Sequence, residues 1–420
     1  MEISESLMAL AKQFNKHDAT LYMVGGAVRN SLMNLPVTDI DICGKLLPKD
    51  VESVAKECGY KCQVVNEKLG TCLITVNDAE QYEYSTFRKE SYSHGHTPDN
   101  VTFVDDVKVD AKRRDFTIGA IYYDIVKQEY IDIYSGAVDI KNRVIRTVET
   151  PEHVFSVDGL RILRLVRFAA ELNFKIDKYT LLGAKNHVRN LNEISPERKL
   201  KELKLILYSD FRYGNTNTCL KYFNKLNVNK YLFKSNKLKF KTNKLAKVVF
   251  KTKLNIRYLC FCMLLLMNKY KFKYIHPSQI HFDVQSIFGQ SGLRESSAQV
   301  NSIIDTYNLL QAFKFKKTYT IKELTDYKKL DDKCKMALSV FVPTDLIENH
   351  ISQIELSGIP LSEDKLNVSN EELLSVVDAK NLSEIKTKLL HMCMAGKLKN
   401  EKENLLHSAK QMQVSINNNK

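Results

Sequence analysis

The 420-residue chain predicts an α+β fold, with a mixed-sheet head up to about residue 147 and a long all-helical remainder. Three observations carry this. Short runs before residue 147 alternate apolar and polar residues, the period of half-buried strands. Beyond it, apolar residues recur every third or fourth position for nearly the whole length. No fixed-period internal repeat interrupts either half.

Taken in order, "LYMV" (21–24) reads as a short buried strand and "GGAVRNSLMNL" as a turn opening a helix. "TDIDIC" alternates as a strand, and "PKDVESVAKECGY" is a helix entered through Pro48. "CLITV" and "YEYSTFR" are further strands, the second placing Glu83, Ser85 and Phe87 on one face. The polar loop "KESYSHGHTPDN" precedes the strand "VTFV"; after "RRDFTIGAIYYD" come the strand "YIDIY" and a hairpin-like "SGAVD". The helical half includes "SVDGLRILRLVRFAAEL", "SPERKLKELKLIL", "RYLCFCMLLLMNK", "SSAQVNSIIDTYNLLQAF" and "EIKTKLLHMCM".

Length leaves room for about two to four domains. The longest apolar run, "LCFCMLLLM" (259–267), is too short to span a bilayer and reads as a buried helix. The acidic start "MEISESLMAL" lacks the basic n-region of a secretion signal, which places the protein in the cytoplasm. Nine cysteines without paired spacing, and without histidines at ligand spacing, argue for reduced thiols and against zinc. No His-Asp pair of phosphohydrolase type is visible.

The net charge of +14 is concentrated. Residues 211–282 hold 14 lysines, 2 arginines and no acidic side chain. A Lys/Asn-rich solvated face is one reading. The exclusion of every carboxylate favours the other, an electrostatic footprint for a polyanion. Nucleic acid suits it better than a membrane, because no strongly amphipathic apolar face accompanies the lysines. Lys234, Lys237, Lys239, Lys241, Lys244 and Lys247 are the candidate phosphate partners.

Chemistry concentrates in "MVGGAVRNSLMNLPVTDIDI" (23–42). Asp39 and Asp41, at i and i+2 of a strand, would leave one face about 7 Å apart at Cα. Ionised carboxylates held so repel unless cations lie between them. Magnesium is the natural partner, and two ions about 4 Å apart would clamp an in-line displacement at phosphorus. Gly25 and Gly26 let phosphate oxygens approach backbone N–H groups, and Arg29 follows with a fork suited to phosphate.

This stretch resembles the GGxVRD…DxD signature of the class II tRNA nucleotidyltransferase and poly(A) polymerase family. "RRDFTIGA" (113–120), "DIYSGAVDIKNRVIR" (132–146), "VDGLRILRLVRFAAELNF" (157–174) and "ERKLKE" (197–202) are similar to its further motifs, in family order. The resemblance spans residues 20–205, about half the chain. It implies a nucleotidyltransferase head (1–147), a helical neck that reads the base (148–205), a basic helical body that binds tRNA (206–290) and a helical tail (291–420). It implies that Asp39 and Asp41 hold the magnesium ions, with Glu83 a further catalytic carboxylate. Gly25, Gly26, Arg29, Arg114 and Asp115 fall at nucleotide-binding positions.

Asp158 and Arg161, three residues apart, are read as sharing a helix face. Asp accepts from an amino group and Arg donates to a ring acceptor. Cytosine and adenine present that pattern, whereas guanine and uracil present the reverse. The pair therefore selects C and A. Arg164 and Arg167 follow at the same spacing, with ligand contact and structural ion pairing both open.

The implied reaction is template-independent addition of C, C and A to the tRNA 3′ end from CTP and ATP, with no protein partner required. A poly(A) polymerase, an enzyme adding only A or only CC, and a non-catalytic RNA-binding relative are the alternatives. "DICGKLLPKDVESVA" lacks the basic stretch of the poly(A) polymerases, the 88–113 segment is full length against a CC-only enzyme, and both metal aspartates stand. Asn30, Gly119 and Val157 depart from the family pattern and put rate and fidelity in question more than reaction type.

Overall fold

The computed structural model describes residues 2–37, 39–92, 100–209, 217–235, 238–316 and 319–418. The chain divides into two compact units, residues 1–251 with 290–295, and residues 252–289 with 296–420.

In the first unit the strands are β1 (Tyr22–Val24), β2 (Asp41–Gly44), β3 (Lys61–Asn66), β4 (Thr71–Asn77), β5 (Glu80–Thr86), β6 (Arg88–Ser91), β7 (Asn100–Phe103), β8 (Ile121–Asp124), β9 (Glu129–Asp132), β10 (Val144–Ile145) and β11 (Lys175–Ile176). Seven form one mixed sheet in the order β3-β4-β5-β2-β1-β8-β9. Only its β2–β5 pairing is parallel, which leaves the adjacent strand ends open on one edge of the sheet. The helices are α1 (Glu5–Lys16), α2 (Gly26–Leu32), α3 (Pro48–Glu57), α4 (Val107–Lys112), α5 (Gly136–Asn142), α6 (Pro151–Val157), α7 (Leu160–Leu172), α8 (Lys178–His187), α9 (Pro196–Ser209), α10 (Thr218–Leu226), α11 (Asn229–Leu232) and α12 (Lys244–Lys251).

Alternation in β2 and β5 decides the layers. Ile42 and Tyr84 turn to one face, where Tyr84 meets Phe14 of α1 at 5.7 Å between rings. The other face carries Asp41 and Glu83 and runs into an apolar cluster of Val24, Cys43, Phe87, Ala111 and Tyr122 that α4 closes. Each such side chain, fully buried, is worth about 1.5–3 kcal/mol.

Three local readings are corrected. "SGAVD" is no hairpin but opens α5, because the Asp132 carboxylate accepts from the N–H groups of Gly136 (2.7 Å) and Ala137 (2.9 Å). Residues 89–91 of the "polar loop", with Arg88 before them, pair with β7 as a second, two-stranded sheet. The single helix read over 156–172 breaks at Asp158, which is extended at φ −142°. Gly159 meets the backbone of Asn190 so closely that an added Cβ would sit 2.7 Å from it. α7 therefore starts afresh at Leu160.

Beyond α9 the lysine-rich stretch alternates. Leu238 and Phe240 are buried, and Phe240 lies 6.2 Å from Phe233 and 6.4 Å from Phe223 between ring centres. Asn224 fixes Phe240 by accepting from its N–H and donating to its carbonyl. Lys239 and Lys241 consequently face solvent.

The second unit is helical, with α13 (Leu254–Lys269), α14 (Pro277–Phe288), α15 (Ser297–Phe315), α16 (Ile321–Lys329), α17 (Asp332–Ser339), α18 (Thr344–Leu356), α19 (Asn370–Leu374), α20 (Leu382–Met394) and α21 (Lys402–Asn418). α13 is buried almost all round, as its apolar run requires. The last three helices close a separate small core around Leu373, Leu389 and Leu405. Among the described residues no helix is long and apolar enough to cross a membrane.

Candidate active site

The carboxylates come first. Gly25 adopts φ +76°, a conformation that L side chains rarely take, and its missing Cβ would lie 3.5 Å from Asp41 Oδ2. Asp41 stands opposite Val24 on β1 and opposite Glu83 on β5. Neighbouring strands lie about 4.8 Å apart, so Asp41 and Glu83 form a like-charged cross-strand pair. Asp39 is not on the strand: β2 begins at Asp41, opposite Val24, the last residue of β1. Both other acids nevertheless act on Asp41. Burial, then Glu83, raises the Asp41 pKa above its ordinary value, with Asp39 adding to this and Arg114 opposing it.

An acid so placed calls for a cation. Among the described residues no group of three His, Cys, Asp or Glu side chains is gathered closely enough to hold a metal by itself. A two-carboxylate site completed by waters and substrate phosphates is how magnesium is usually bound, so Asp39 and Asp41 fit it.

A cleft of about 510 Å³ is lined by Leu69, Arg88, Glu90, Tyr92, Arg113, Arg114, Asp115, Asp158, Leu160, Arg161, Arg164 and Arg198; none of Asp39, Asp41 and Glu83 lines it, and Arg114 links it to Asp41 electrostatically. It joins β6 and the 113–115 segment of the head to the start of α7 and to α9. Such a volume suits a nucleotide. Asp158 and Arg161 do line one cleft, though not as neighbours on one helix turn. Asp158 accepts from the Leu160 N–H (2.9 Å) through Oδ1 and from Arg198 (3.1 Å) through Oδ2. Arg161 donates to the carbonyl of Arg113 at 2.7 Å. Arg164 donates to Asp115 at 2.6 Å, and with Arg161 it more than offsets the burial that would raise the Asp115 pKa, holding it low.

The cleft arginines are set by one hidden acid. Asp110 of α4 is fully buried. One oxygen accepts from Arg113 (2.8 Å) and the Arg88 N–H (3.2 Å), the other from the Tyr122 hydroxyl (2.6 Å) and Arg114 (3.2 Å). Burial alone would raise its pKa, but Arg113 and Arg114 outweigh it and the net shift is downward.

Arg29 and Arg167 are elsewhere. Arg29 is 5% exposed, donates to Asn30 Oδ1 at 3.0 Å and lies 3.8 Å from Glu171. Arg167 donates to Glu202 at 2.6 Å and also reaches Glu171. Both guanidiniums, with that of Arg164, surround the Phe168 ring at 4.6–5.5 Å. Of the two readings left open for Arg164 and Arg167, Arg164 lines the cleft and Arg167 belongs to an interior ion-pair network. Gly26 does not line the cleft either.

The three departures are accommodated. Asn30 still supplies Arg29 with an acceptor, and its amide donates to the Pro36 carbonyl. Gly119 leaves its Cβ position 3.9 Å from Asp115 Oδ1. Arg161, without an acid at 157, is held by a backbone carbonyl instead.

Residues 21–146 match the poly A polymerase head domain family. The CCA-adding enzyme of Enterococcus faecalis is 39% identical over 204 residues, which are 48% of this chain and 49% of that protein. The CCA-adding enzyme of Staphylococcus epidermidis is 38% identical over 207 residues, 49% of this chain and 50% of that one. The chain thus matches about half the length of these curated relatives. The fold extends further. A Bacillus stearothermophilus CCA-adding enzyme in complex with CTP superposes with a TM-score of 0.70 at 23% identity, over 100% of both chains. A Thermotoga maritima CCA-adding enzyme complexed with tRNA gives 0.62 at 18%, over 96% of this chain and 94% of that one. The mixed-sheet head and helical remainder are therefore the architecture of CCA-adding enzymes.

The site residues named from the sequence leave out Arg88, Glu90, Tyr92, Asp110, Arg113 and Arg198, all but Asp110 of which line the cleft. Two signals were available: Asp110 stands three and four residues before Arg113 and Arg114, and Arg198 sits inside "ERKLKE".

The lysines divide. Lys239, Lys244 and Lys247 are exposed, Lys241 is exposed but engaged, and Lys234 donates to the Ser291 carbonyl. Lys237 lies outside the described residues.

Proposed function

We propose that the chain is a CCA-adding tRNA nucleotidyltransferase, transferring CMP and AMP from CTP and ATP to the 3′ end of tRNA. The observation that carries this reading is the cleft in which Asp158 and Arg161 stand beside the Arg113–Asp115 segment, whose Arg114 acts electrostatically on Asp41. The relatives' names support the same reading. In it, residues 1–147 carry the chemistry, 148–205 read the base, 206–290 hold the tRNA and 291–420 form the tail.

The tRNA 3′-hydroxyl oxygen forms a bond to the α-phosphorus, the bond from that phosphorus to the bridging oxygen breaks, and pyrophosphate leaves. Asp39 and Asp41 would hold magnesium, with Glu83 alongside, where it would neutralise phosphate charge and make the hydroxyl a better nucleophile. Arg114, fixed by Asp110 and Tyr122, presents its charge to the triphosphate without reorganising. Asp158 accepts the amino group common to cytosine and adenine, and Arg161 donates to the adjacent ring acceptor. Arg198 and the Arg113 carbonyl hold these two readers in place. The nine cysteines, all free thiols, suit a reducing cytoplasmic setting.

The test is incubation with tRNA ending before, within and after CCA, with each labelled nucleotide and magnesium. CMP added twice and AMP once supports the reading. Repeated AMP alone points to a poly(A) polymerase, AMP only after CC to an A-adding enzyme, and no incorporation to a non-catalytic relative.

A further inference from the structure

The far end of α7 opens on a second concavity, about 590 Å³ in volume. Four cations line it, Arg143, Lys175, Lys221 and Lys225, and no carboxylate does. In the nucleotide cleft Glu90, Asp115 and Asp158 each face an arginine. Here, among the described residues, none of the four cations is in an ion pair.

Local structure brings them together at a cost. Arg143 ends α5 in the left-handed region at φ 53°, which is unfavourable for a residue with a Cβ. Its carbonyl accepts from the Lys175 N–H at 2.9 Å, joining the two chain segments at β10 and β11. Lys221 and Lys225 are exposed at i and i+4 of α10, a like-charged spacing that weakens a helix. Tyr222 bonds to the backbone of Ile176 and fastens α10 to this floor. Converging charges without a counter-charge are explained by a ligand that supplies one.

We propose that this groove docks the phosphate backbone of the RNA whose 3′ end the cleft extends. The identity of the RNA rests on the proposed function; the anionic character of the ligand does not. α7 lines the cleft with Leu160 and ends at Leu172 beside the groove, so the two sites are about 20 Å apart along one rigid helix. A lipid surface fits less well, because Phe174 is buried and Tyr222 is tied to Ile176, leaving no apolar anchor among the lining aromatics.

The experiment uses the full chain, as Lys221→Gln/Lys225→Gln and as the fourfold variant adding Arg143→Gln and Lys175→Gln. The double variant alters exposed positions only and keeps the test valid if the fourfold protein folds poorly. Binding of a tRNA lacking its last three nucleotides is measured across a salt series, and CMP incorporation alongside. Each phosphate that is no longer neutralised should flatten the log–log slope by about 0.9. The double variant should lose about 2 in slope on that scale and raise the tRNA KM roughly tenfold, with the CTP KM unchanged. An unchanged slope and tRNA KM would overturn the proposal, as would weakened binding to phosphatidylserine vesicles with the tRNA slope intact. Binding requires no turnover. A wild-type protein that incorporated nothing would defeat the proposed function, while the slope comparison would still decide the groove.

Discussion

Replacing Asp110 tests how the cleft is organised. Its carboxylate is fully buried and joins two cleft arginines, a tyrosine hydroxyl and the Arg88 N–H. Breaking a buried charge pair by removing one member costs about 3–5 kcal/mol. Arg113 and Arg114 each keep 16% of their side chains exposed, so water recovers part of this, and the lower end, about 3 kcal/mol, applies to Asp110→Ala. For a unit of this size that is roughly 6–12 °C in Tm. Asp110→Asn retains an acceptor but turns an amide N–H toward a guanidinium, and it should lose nearly as much. The pH dependence has a definite sign. The folded pKa lies below the ordinary 3.8, so the carboxylate's contribution is fully present above the unfolded value and disappears as pH falls through the folded one. Wild type should therefore lose this margin below about pH 4, where Asp110→Asn has none to lose. The assay is thermal unfolding between pH 3 and 7, with nucleotide KM at neutral pH. Loosened arginines should raise the CTP and ATP KM at least tenfold, equivalent to about 1.4 kcal/mol, and leave tRNA affinity alone. A Tm within about 2 °C of wild type, less than 1 kcal/mol on the same scale, together with an unchanged KM, would refute the reasoning.

Asp39→Asn and Asp41→Asn should each abolish CMP and AMP incorporation in a protein that still unfolds cooperatively; substantial turnover by either variant would remove that carboxylate from the chemistry. Asp158→Ala and Arg161→Ala should admit UMP or GMP by losing roughly 1–3 kcal/mol of discrimination. Competition assays with all four nucleotides check this, and equal slowing with selectivity retained would make the pair structural. Lys239→Gln/Lys244→Gln/Lys247→Gln should flatten the salt dependence of tRNA binding by up to about 0.9 per lysine and spare the CTP KM, whereas an unaltered slope would mark these lysines as ordinary surface.

Much of the head could be read from residues because strand alternation, the left-handed glycine turn and Pro48 are local signals. The strand position of Asp41 was readable too, since it is fixed by its own strand. What failed was long-range. Asp39 falls off β2, whose first residue, Asp41, meets the last residue of β1. Asp158 leaves the helix because Gly159 packs on Asn190, thirty-one residues away in sequence. Asp132 starts a helix where the residues suggested a hairpin, since a carboxylate caps whichever N–H groups it meets. Arg29 has the right type and spacing for a phosphate partner, yet Glu171 and Phe168, over a hundred residues on, draw it inward. Each miss is a competition between a local preference and a distant partner.

The lining of the nucleotide cleft has a practical consequence. Six arginines face three carboxylates there and the buried Asp110 behind Arg113 and Arg114 offsets one more, so two positive charges are left over in a concave, partly shielded space. Such a space concentrates whatever multivalent anion the solvent offers. Inorganic phosphate, sulfate and citrate will compete for it before any nucleotide is added, and the pyrophosphate released in the proposed reaction will linger in it. Turnover recorded in a phosphate buffer will therefore look slower than in a buffer of bulky monovalent anions, and a pyrophosphatase in the assay will speed a reaction that it does not touch.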